Sequence, residues 1–199
     1  MLKKKCAVFL AILAVLAYTA PGFSGSKELQ SKVCPVGVLK PIDSQSTLKV
    51  GDKAPAFTLP SVSGEAVSLS SYEGKKNVVI SFVPAAWTPV CSNQWPEYNT
   101  AKSKIEENNA VLIGITVDNI PTLYAWTNEM GGVWFPVLSD FWPHGQVAKQ
   151  YGVLRSSGTS ERAVFVIDTE GRIRYMDVHD INSRPDLETL ISELEKLKK

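Results

Sequence analysis

A cysteine lies where the sequence predicts the start of a helix. The segment PAAWTPVC, residues 84–91, directly follows the apolar run VVISFV. Thr is a preferred N-cap residue and Pro a preferred first helical residue, so Thr88 and Pro89 predict a helix with Cys91 at its third position. A thiolate there would meet unpaired backbone N–H groups and the positive end of the helix dipole, which stabilise the anion and make the sulfur nucleophilic.

The spacing limits the chemistry that this sulfur can perform. Thr88 occupies the position that the first cysteine of a Cys-x-x-Cys pair would have, so Cys91 cannot form that local disulfide. A solitary activated thiolate is suited to attack a peroxide oxygen, which yields a sulfenic acid and releases an alcohol or water. The Thr88 hydroxyl could accept a hydrogen bond from the peroxide or donate one to the sulfur. The alternative is that Cys91 is a small buried side chain without a chemical role.

Four segments, in order along the chain, resemble one known family. PAAWTPVC matches Pro-x-x-x-Thr-x-x-Cys, the signature of the peroxiredoxins, the alkyl hydroperoxide reductase C and thiol-specific antioxidant family. Similar family segments are VGDKAPAFTL, FPVLSD followed by VAKQYGV, and ERAVFVID, so the resemblance extends over residues 50–168. It implies a thioredoxin-like α/β fold with a central mixed sheet flanked by helices. It also implies a thiol peroxidase that reduces hydrogen peroxide and organic hydroperoxides without a metal or bound organic cofactor.

The resemblance also implies a role for each of four residues. Cys91 would be the peroxidatic cysteine, Thr88 would orient the peroxide, and Pro84 would shield the sulfur from water and stray thiols. Arg162 would hold the thiolate and polarise the peroxide, because a guanidinium stays charged and presents several donors in one plane. The alternative for Arg162 is a strand-edge arginine paired with the neighbouring carboxylate of Glu161.

The sequence departs from the family pattern near the cysteine. Gln94 stands where many members have Glu, and Trp87 stands where Phe or Tyr is usual. Pro96 lies inside the predicted helix and removes one backbone hydrogen bond, so we expect a kink there. The short turn that carries Cys91 could then unwind after oxidation, or the kink could simply fit the helix to the sheet.

A peroxidase needs a thiol to reset its sulfenic acid. No cysteine follows Cys91, and the position five residues later, where some members have a resolving cysteine, is Pro96. Cys34 therefore remains as a possible resolving residue, and closing so long a loop costs only a few kcal/mol. The other candidate is an external thiol, from a thioredoxin-like protein or a small molecule.

Two other functions remain open at this point. The chain could be an exported thioredoxin-like thiol–disulfide oxidoreductase that lacks one cysteine of its redox pair. That reading gives no reason for Pro84, Thr88 and Arg162 to occur together. The chain could also be a non-catalytic binding module on the same scaffold, which leaves the same three residues and Cys91 unexplained.

The first 24 residues predict a signal peptide. Three lysines precede an uncharged apolar run at residues 6–20, which is too short to span a membrane and typical of a signal-peptide core. We therefore expect export to the periplasm or another extracytoplasmic compartment, with an uncleaved membrane anchor as the alternative. Residues 25–49 are polar and contain prolines, which predicts an N-terminal arm or linker. Residues 50–199 form the single predicted domain.

Periodicity predicts the elements that position the cysteine and the arginine. A small hairpin is predicted at residues 61–72, strands at 77–83, 110–117, 135–138, 163–167 and 173–176, and helices at 89–108, 122–129, 146–151 and 186–199. Strands that alternate with helices and end in a hairpin and a helix indicate an α/β layer fold.

Composition excludes some partners. The chain has 21 basic and 20 acidic residues, and after the leader its only basic run is the terminal KLKK, so nucleic acid is not an implied partner. His144 and His179 each stand alone, and no cysteine or histidine cluster has metal-ligand spacing. The sequence leaves a homodimer open.

Overall fold

A mixed β-sheet forms the centre of the computed structural model, which describes residues 25–198. In these residues the strands are β1 (Thr58–Pro60), β2 (Ala66–Ser68), β3 (Asn77–Phe82), β4 (Ala110–Thr116), β5 (Val137–Ser139), β6 (Arg162–Ile167) and β7 (Ile173–His179). Strands β1 and β2 form a separate antiparallel hairpin. The other strands form one sheet in the order β5-β4-β3-β6-β7, in which β3, β4 and β5 are parallel and β6 and β7 are antiparallel to β3.

Helices cover this sheet. They are α1 (Gly25–Lys32), α2 (Pro89–Tyr98), α3 (Lys102–Glu107), α4 (Ile120–Glu129), α5 (Gln146–Gln150) and α6 (Leu187–Glu195). Side-chain caps fix the starts of α4 and α6. The side-chain Oδ1 of Asn119 accepts from the Thr122 N–H, and the Asp186 carboxylate accepts from the Thr189 N–H. The predicted mixed α/β architecture is confirmed.

Strand β3 lies between two buried apolar layers, because alternate side chains point to opposite faces of a sheet. On one face Trp95 packs against Trp126, with ring centroids 4.9 Å apart. On the other face Phe82 packs against Tyr151 at 5.4 Å and against Phe165 at 6.0 Å. Burial on both faces explains why the apolar run in this strand does not alternate with polar residues.

The predicted helix over residues 89–108 is divided in the structure. Helix α2 continues through Pro96 and ends at Tyr98, a short 3₁₀ turn follows at Asn99–Ala101, and α3 begins at Lys102. The interruption thus lies after Tyr98, two residues beyond Pro96, and the kink expected at Pro96 itself stays a prediction.

The N-terminal arm contains a helix that the sequence analysis did not predict. Helix α1 packs against α2 and α4, and Leu29 is 2% exposed in the main core. After α1 the chain is extended, and its backbone is held by the body of the protein. The Cys34 N–H donates to the Trp87 carbonyl at 2.7 Å, and the N–H groups of Asp43 and Ser44 donate to the Glu161 carboxylate. Residues 25–49 are therefore an arm whose backbone is held against the body of the protein.

The predicted signal peptide, residues 1–24, lies outside the described residues. Within residues 25–198, no helix combines the length and the apolar character that crossing a membrane would require.

Candidate active site

The nucleophile candidate occupies the predicted place at the start of α2. Cys91 is the third residue of this helix, after the extended N-cap residue Thr88 and Pro89, and its side chain is 0% exposed. The prediction that the Thr88 hydroxyl caps the helix was wrong, since this hydroxyl instead donates to the Ala85 carbonyl at 2.9 Å. Its proton is therefore already used, and its oxygen remains available as an acceptor.

Arg162 approaches the cysteine from the first position of β6. Its Nη2 donates to the Cys91 sulfur at 3.5 Å, and its Nη1 donates to Gln94 Oε1 at 2.5 Å. The Ile181 carbonyl accepts from both Nε and Nη2, at 3.3 and 3.0 Å. The arginine is 1% exposed, and apart from the sulfur these acceptors are all uncharged.

A buried polar network orients Gln94. Its Nε2 donates to the hydroxyls of Tyr98 and Ser81 at 2.9 and 3.3 Å, which leaves Oε1 directed to Arg162. Burial raises the pKa of Tyr98, although the hydrogen bonds from Ser81 and Gln94 oppose this shift, so the phenol stays neutral at physiological pH. The network thus fixes the guanidinium without supplying a negative charge.

Glu161 does not pair with Arg162, so the strand-edge alternative was wrong. Its carboxylate binds the guanidinium of Arg155, which is 7% exposed, and accepts the two arm N–H groups described above. Glu161 directly precedes β6, and its bonds to Arg155 and to the arm hold its carboxylate away from Arg162. The buried charge of Arg162 is consequently free to interact with the sulfur.

An open cavity of about 610 Å³ leads to this arrangement. Pro84, Thr88 and Arg162 all line it, so the structure brings every predicted site residue except Cys34 to the cavity or to the sulfur beneath it. The arm forms the opposite side of the cavity through residues 36–40.

Sequence reasoning missed two supports of the site. The Ile181 carbonyl holds Arg162, and as a backbone group it leaves no signal in residue type. Asp118 accepts from the Ala86 N–H at 2.8 Å and so holds the loop before Thr88. A signal for Asp118 was present, because a carboxylate at the end of a buried strand commonly binds a neighbouring loop. Trp87, at the centre of that loop, has the left-handed φ of 60°.

Cys34 lies on the surface of the arm, where its thiol is exposed and unpaired. Its backbone hydrogen bond to Trp87 places Cys34 beside the active-site loop, because Trp87 lies only four residues before Cys91 in the sequence. Of the two histidines, His144 is exposed, and His179 is half-buried between Asp177 and Ser183. Within residues 25–198 no cluster of His, Cys, Asp and Glu has a metal-binding arrangement.

Comparison with known proteins agrees with this geometry. The family model described as AhpC/TSA family matches residues 50–176. Alkyl hydroperoxide reductase E of Mycobacterium tuberculosis is 37% identical over 132 residues, which cover 66% of this chain and 86% of that protein. The chain belongs to the AhpC/TSA family, the peroxiredoxins.

Other peroxiredoxins are similar over much of the same region. Peroxiredoxin TSA1 of Saccharomyces cerevisiae is 33% identical over 143 residues, covering 67% of this chain and 71% of that protein. The reduced crystal structure of the Plasmodium vivax 2-Cys peroxiredoxin superimposes with a TM-score of 0.68 at 28% identity, over 73% of this chain and 80% of that one. As a peroxiredoxin, this protein is a thiol-dependent peroxidase.

Proposed function

We propose that Cys91 is the nucleophile with which this peroxiredoxin reduces hydrogen peroxide and organic hydroperoxides. The thiolate attacks the terminal peroxide oxygen, the O–O bond breaks, and an S–O bond forms. The sulfur is oxidised by two electrons to the sulfenic acid, and the departing alkoxide or hydroxide takes a proton to leave as alcohol or water.

One observation carries this proposal: the buried guanidinium of Arg162 donates to the Cys91 sulfur, while its other partners are neutral. A buried charge without a counter-charge is costly, and a thiolate at 3.5 Å provides the counter-charge. The same guanidinium lines the cavity, from which it can also donate to the peroxide oxygens.

Thr88 and Pro84 complete the proposed chemistry. Because the Thr88 proton is donated to Ala85, the hydroxyl oxygen can only accept, and we propose that it accepts the peroxide O–H. That bond would point the terminal oxygen at the sulfur. Pro84 is buried at the base of the cavity and offers no N–H donor, so it supports exclusion of water from the sulfur.

Replacing the nucleophile tests this function. We expect Cys91→Ser to abolish thiol-dependent peroxide consumption, while Cys34→Ser with an external thiol in excess retains it. Peroxide consumption by Cys91→Ser at the wild-type rate would contradict the proposal. Insulin disulfide reduction at a thioredoxin-like rate would instead favour the oxidoreductase alternative.

Either Cys34 or an external thiol resets the enzyme in this proposal. The hydrogen bond from the Cys34 N–H to the Trp87 carbonyl supports Cys34, because it shortens the path to the oxidised sulfur. The complete burial of Cys91 means that the first turn of α2 must open before any thiol can reach the sulfenic acid. Mass spectrometry after one equivalent of peroxide separates the two routes: a Cys34–Cys91 disulfide identifies Cys34, and a lasting sulfenic acid identifies an outside reductant. A thioredoxin-like protein or a small thiol would then be the donor.

We further propose that residues 1–24 are a signal peptide that exports the protein to the periplasm or another extracytoplasmic compartment, followed by the arm and the catalytic domain. The lysines and the short apolar run support this. Cell fractionation and N-terminal sequencing of the mature chain test it, and a full-length chain in the cytoplasm would contradict it. The exposed aromatic rings of Phe141 and Trp142 support a homodimer, which light scattering measures directly.

A further inference from the structure

The cavity above the active site is much larger than hydrogen peroxide requires. Its volume is about 610 Å³, whereas one water molecule takes about 30 Å³ of liquid volume and hydrogen peroxide is only slightly larger. The volume falls within the range of about 300–1,000 Å³ that is typical of sites for organic ligands. Since Pro84, Thr88 and Arg162 lie at its base, a molecule that fills this cavity would present one end to the chemistry.

The arm supplies an apolar wall to this cavity. We call residues 36–39 the arm wall; its side chains Val36, Val38 and Leu39 are 46%, 93% and 42% exposed. Val90 and Ile181 line the cavity from the body of the protein. Exposure of these aliphatic side chains to water is unfavourable, and a ligand with an apolar body would gain binding free energy by covering them.

The arm wall is held in place by backbone and side-chain hydrogen bonds. The N–H and carbonyl of Leu39 both bond to the amide side chain of Asn182 at 2.9 Å. The two residues after the arm wall are also hydrogen-bonded to the body of the protein. The Lys40 carbonyl accepts from the Arg155 guanidinium, and the Pro41 carbonyl accepts from the Ile181 N–H. A wall that is already ordered costs little further entropy when a ligand binds.

The charges at the cavity have partners of their own. Lys40 pairs with Asp43 at 2.9 Å, and Arg155 pairs with Glu161. Arg162 directs its donors toward the sulfur, Gln94 and Ile181 at the base of the cavity. The sides of the cavity therefore favour an uncharged apolar body, while the base favours a polar peroxide group.

From this geometry we infer that the arm wall selects bulky apolar organic hydroperoxides over hydrogen peroxide. The inference rests on the proposed function and adds its substrate class. The hydroperoxide group lies against Thr88 and Arg162, and its apolar body lies against Val36, Val38 and Leu39. The Cys91 thiolate forms an S–O bond to the terminal oxygen as the O–O bond breaks, and the sulfur becomes a sulfenic acid. The departing alkoxide takes a proton from water and leaves as the alcohol through the same apolar cavity.

Comparison of three peroxides tests the inference on the full mature chain. The values of kcat/KM are measured for cumene hydroperoxide, tert-butyl hydroperoxide and hydrogen peroxide with a dithiol reductant in excess. We expect the wild-type protein to prefer cumene hydroperoxide over hydrogen peroxide by about tenfold or more, because one or two apolar contacts in a pocket give about 10–200-fold discrimination. The value of kcat/KM for tert-butyl hydroperoxide should lie between those for cumene hydroperoxide and hydrogen peroxide.

Polar substitutions in the arm wall should remove this preference. We expect Val38→Asn to lower the ratio of kcat/KM for cumene hydroperoxide to that for hydrogen peroxide by about tenfold, and Val36→Asn with Val38→Asn to lower it further. The ratio cancels any general loss of active protein. The matched control is Val50→Asn, at a valine that is 61% exposed and not part of the cavity, which should keep the wild-type ratio.

The outcomes separate the inference from the function on which it rests. Equal wild-type kcat/KM values for the three peroxides, or an unchanged ratio in both arm-wall variants, would overturn the inference and leave the thiol peroxidase intact. Absence of turnover with every peroxide would overturn both. Because the substituted side chains are exposed, the variants are expected to fold. If a variant does not fold, equal wild-type kcat/KM values for the three peroxides would still overturn the inference.

Discussion

Removing the charge of Arg162 is the sharpest test of the reasoning about the active site. We consider Arg162→Met, which keeps an unbranched side chain of similar length but removes the hydrogen bond to the Cys91 sulfur and the positive charge. The helix start and the position of Thr88 should remain. If the guanidinium stabilises the thiolate and the developing charge on the peroxide, the variant will react more slowly with peroxide and with an alkylating agent.

The expected size of the effect follows from the geometry. Two unit charges 3.5 Å apart interact by about 5 kcal/mol at an effective dielectric constant near 20, which sets a ceiling. The net value of a hydrogen bond to a charged group is smaller, about 1.5–3 kcal/mol, because desolvation of the guanidinium offsets part of the attraction. Since 1.36 kcal/mol is tenfold in rate, we expect the second-order rate with peroxide to fall by about 10–150-fold.

Two measurements check this expectation in a background where Cys6 and Cys34 are serine. Stopped-flow consumption of peroxide gives the rate of the reaction, and the rate of Cys91 alkylation at a fixed pH gives the reactivity of the sulfur without peroxide. Arg174→Met is the control, because Arg174 lies on the neighbouring strand and pairs at the surface with Asp168. Arg162→Lys should fall between Arg162→Met and the wild type.

The reasoning would be refuted if folded Arg162→Met reacted with peroxide within threefold of the wild type, or if its rate of alkylation were unchanged. Thermal unfolding must accompany both assays, because the substitution leaves Gln94 Oε1 and the Ile181 carbonyl without their buried donor.

Three further predictions concern packing, pH and dynamics. Gly114→Ala should destabilise the protein by about 1–3 kcal/mol in urea unfolding, because the new Cβ would lie 2.6 Å from the Trp95 ring; unchanged stability would contradict this packing. Asp186→Ala should unfold at a lower temperature at pH 7, since hydrogen bonds from the Thr189 hydroxyl and N–H hold the Asp186 pKa below its ordinary 3.8. That difference is fully present above pH 3.8 and should close as the pH falls through the lower folded value; a difference independent of pH would exclude the cap. Amide exchange at residues 92–95 should be faster in the oxidised protein, and equal protection in both redox states would remove the proposed opening of α2.

The sequence analysis predicted the elements whose burial has a local signature. β3 and β4 are largely apolar runs with many β-branched residues and no regular alternation with polar ones, and such runs are typical of strands covered on both faces. The Thr88-Pro89 pair correctly predicted where α2 begins and that Cys91 is its third residue. The hydroxyl of Thr88 was assigned the wrong partner, because the loop brings the Ala85 carbonyl within its reach and loop conformation is not encoded in helix-cap statistics.

The arm could not be predicted because its structure depends on contacts distant in sequence. Its residues are polar and irregular, and they gain order from Glu161 and Asn182, more than 100 residues away. Leu29 is the one strongly buried apolar residue of α1 in the described part, and a single apolar position does not define a helical stripe. The structure brings the predicted residues Pro84, Thr88 and Arg162 together beside Cys91, but the cavity and its arm wall could be seen only in the tertiary structure.

The neutral residue at position 94 has a physical consequence for the sulfur. A carboxylate there would form a buried ion pair with Arg162 and would compete with the thiolate for the same guanidinium. Gln94 accepts the Nη1 hydrogen bond, so the arginine is held with the same geometry but its charge is not cancelled. Tyr98 and Ser81 bind the Gln94 amide nitrogen, which fixes the amide oxygen toward Arg162. The departure from the family pattern therefore leaves the full positive charge to the sulfur and to the peroxide in the cavity that the sulfur attacks.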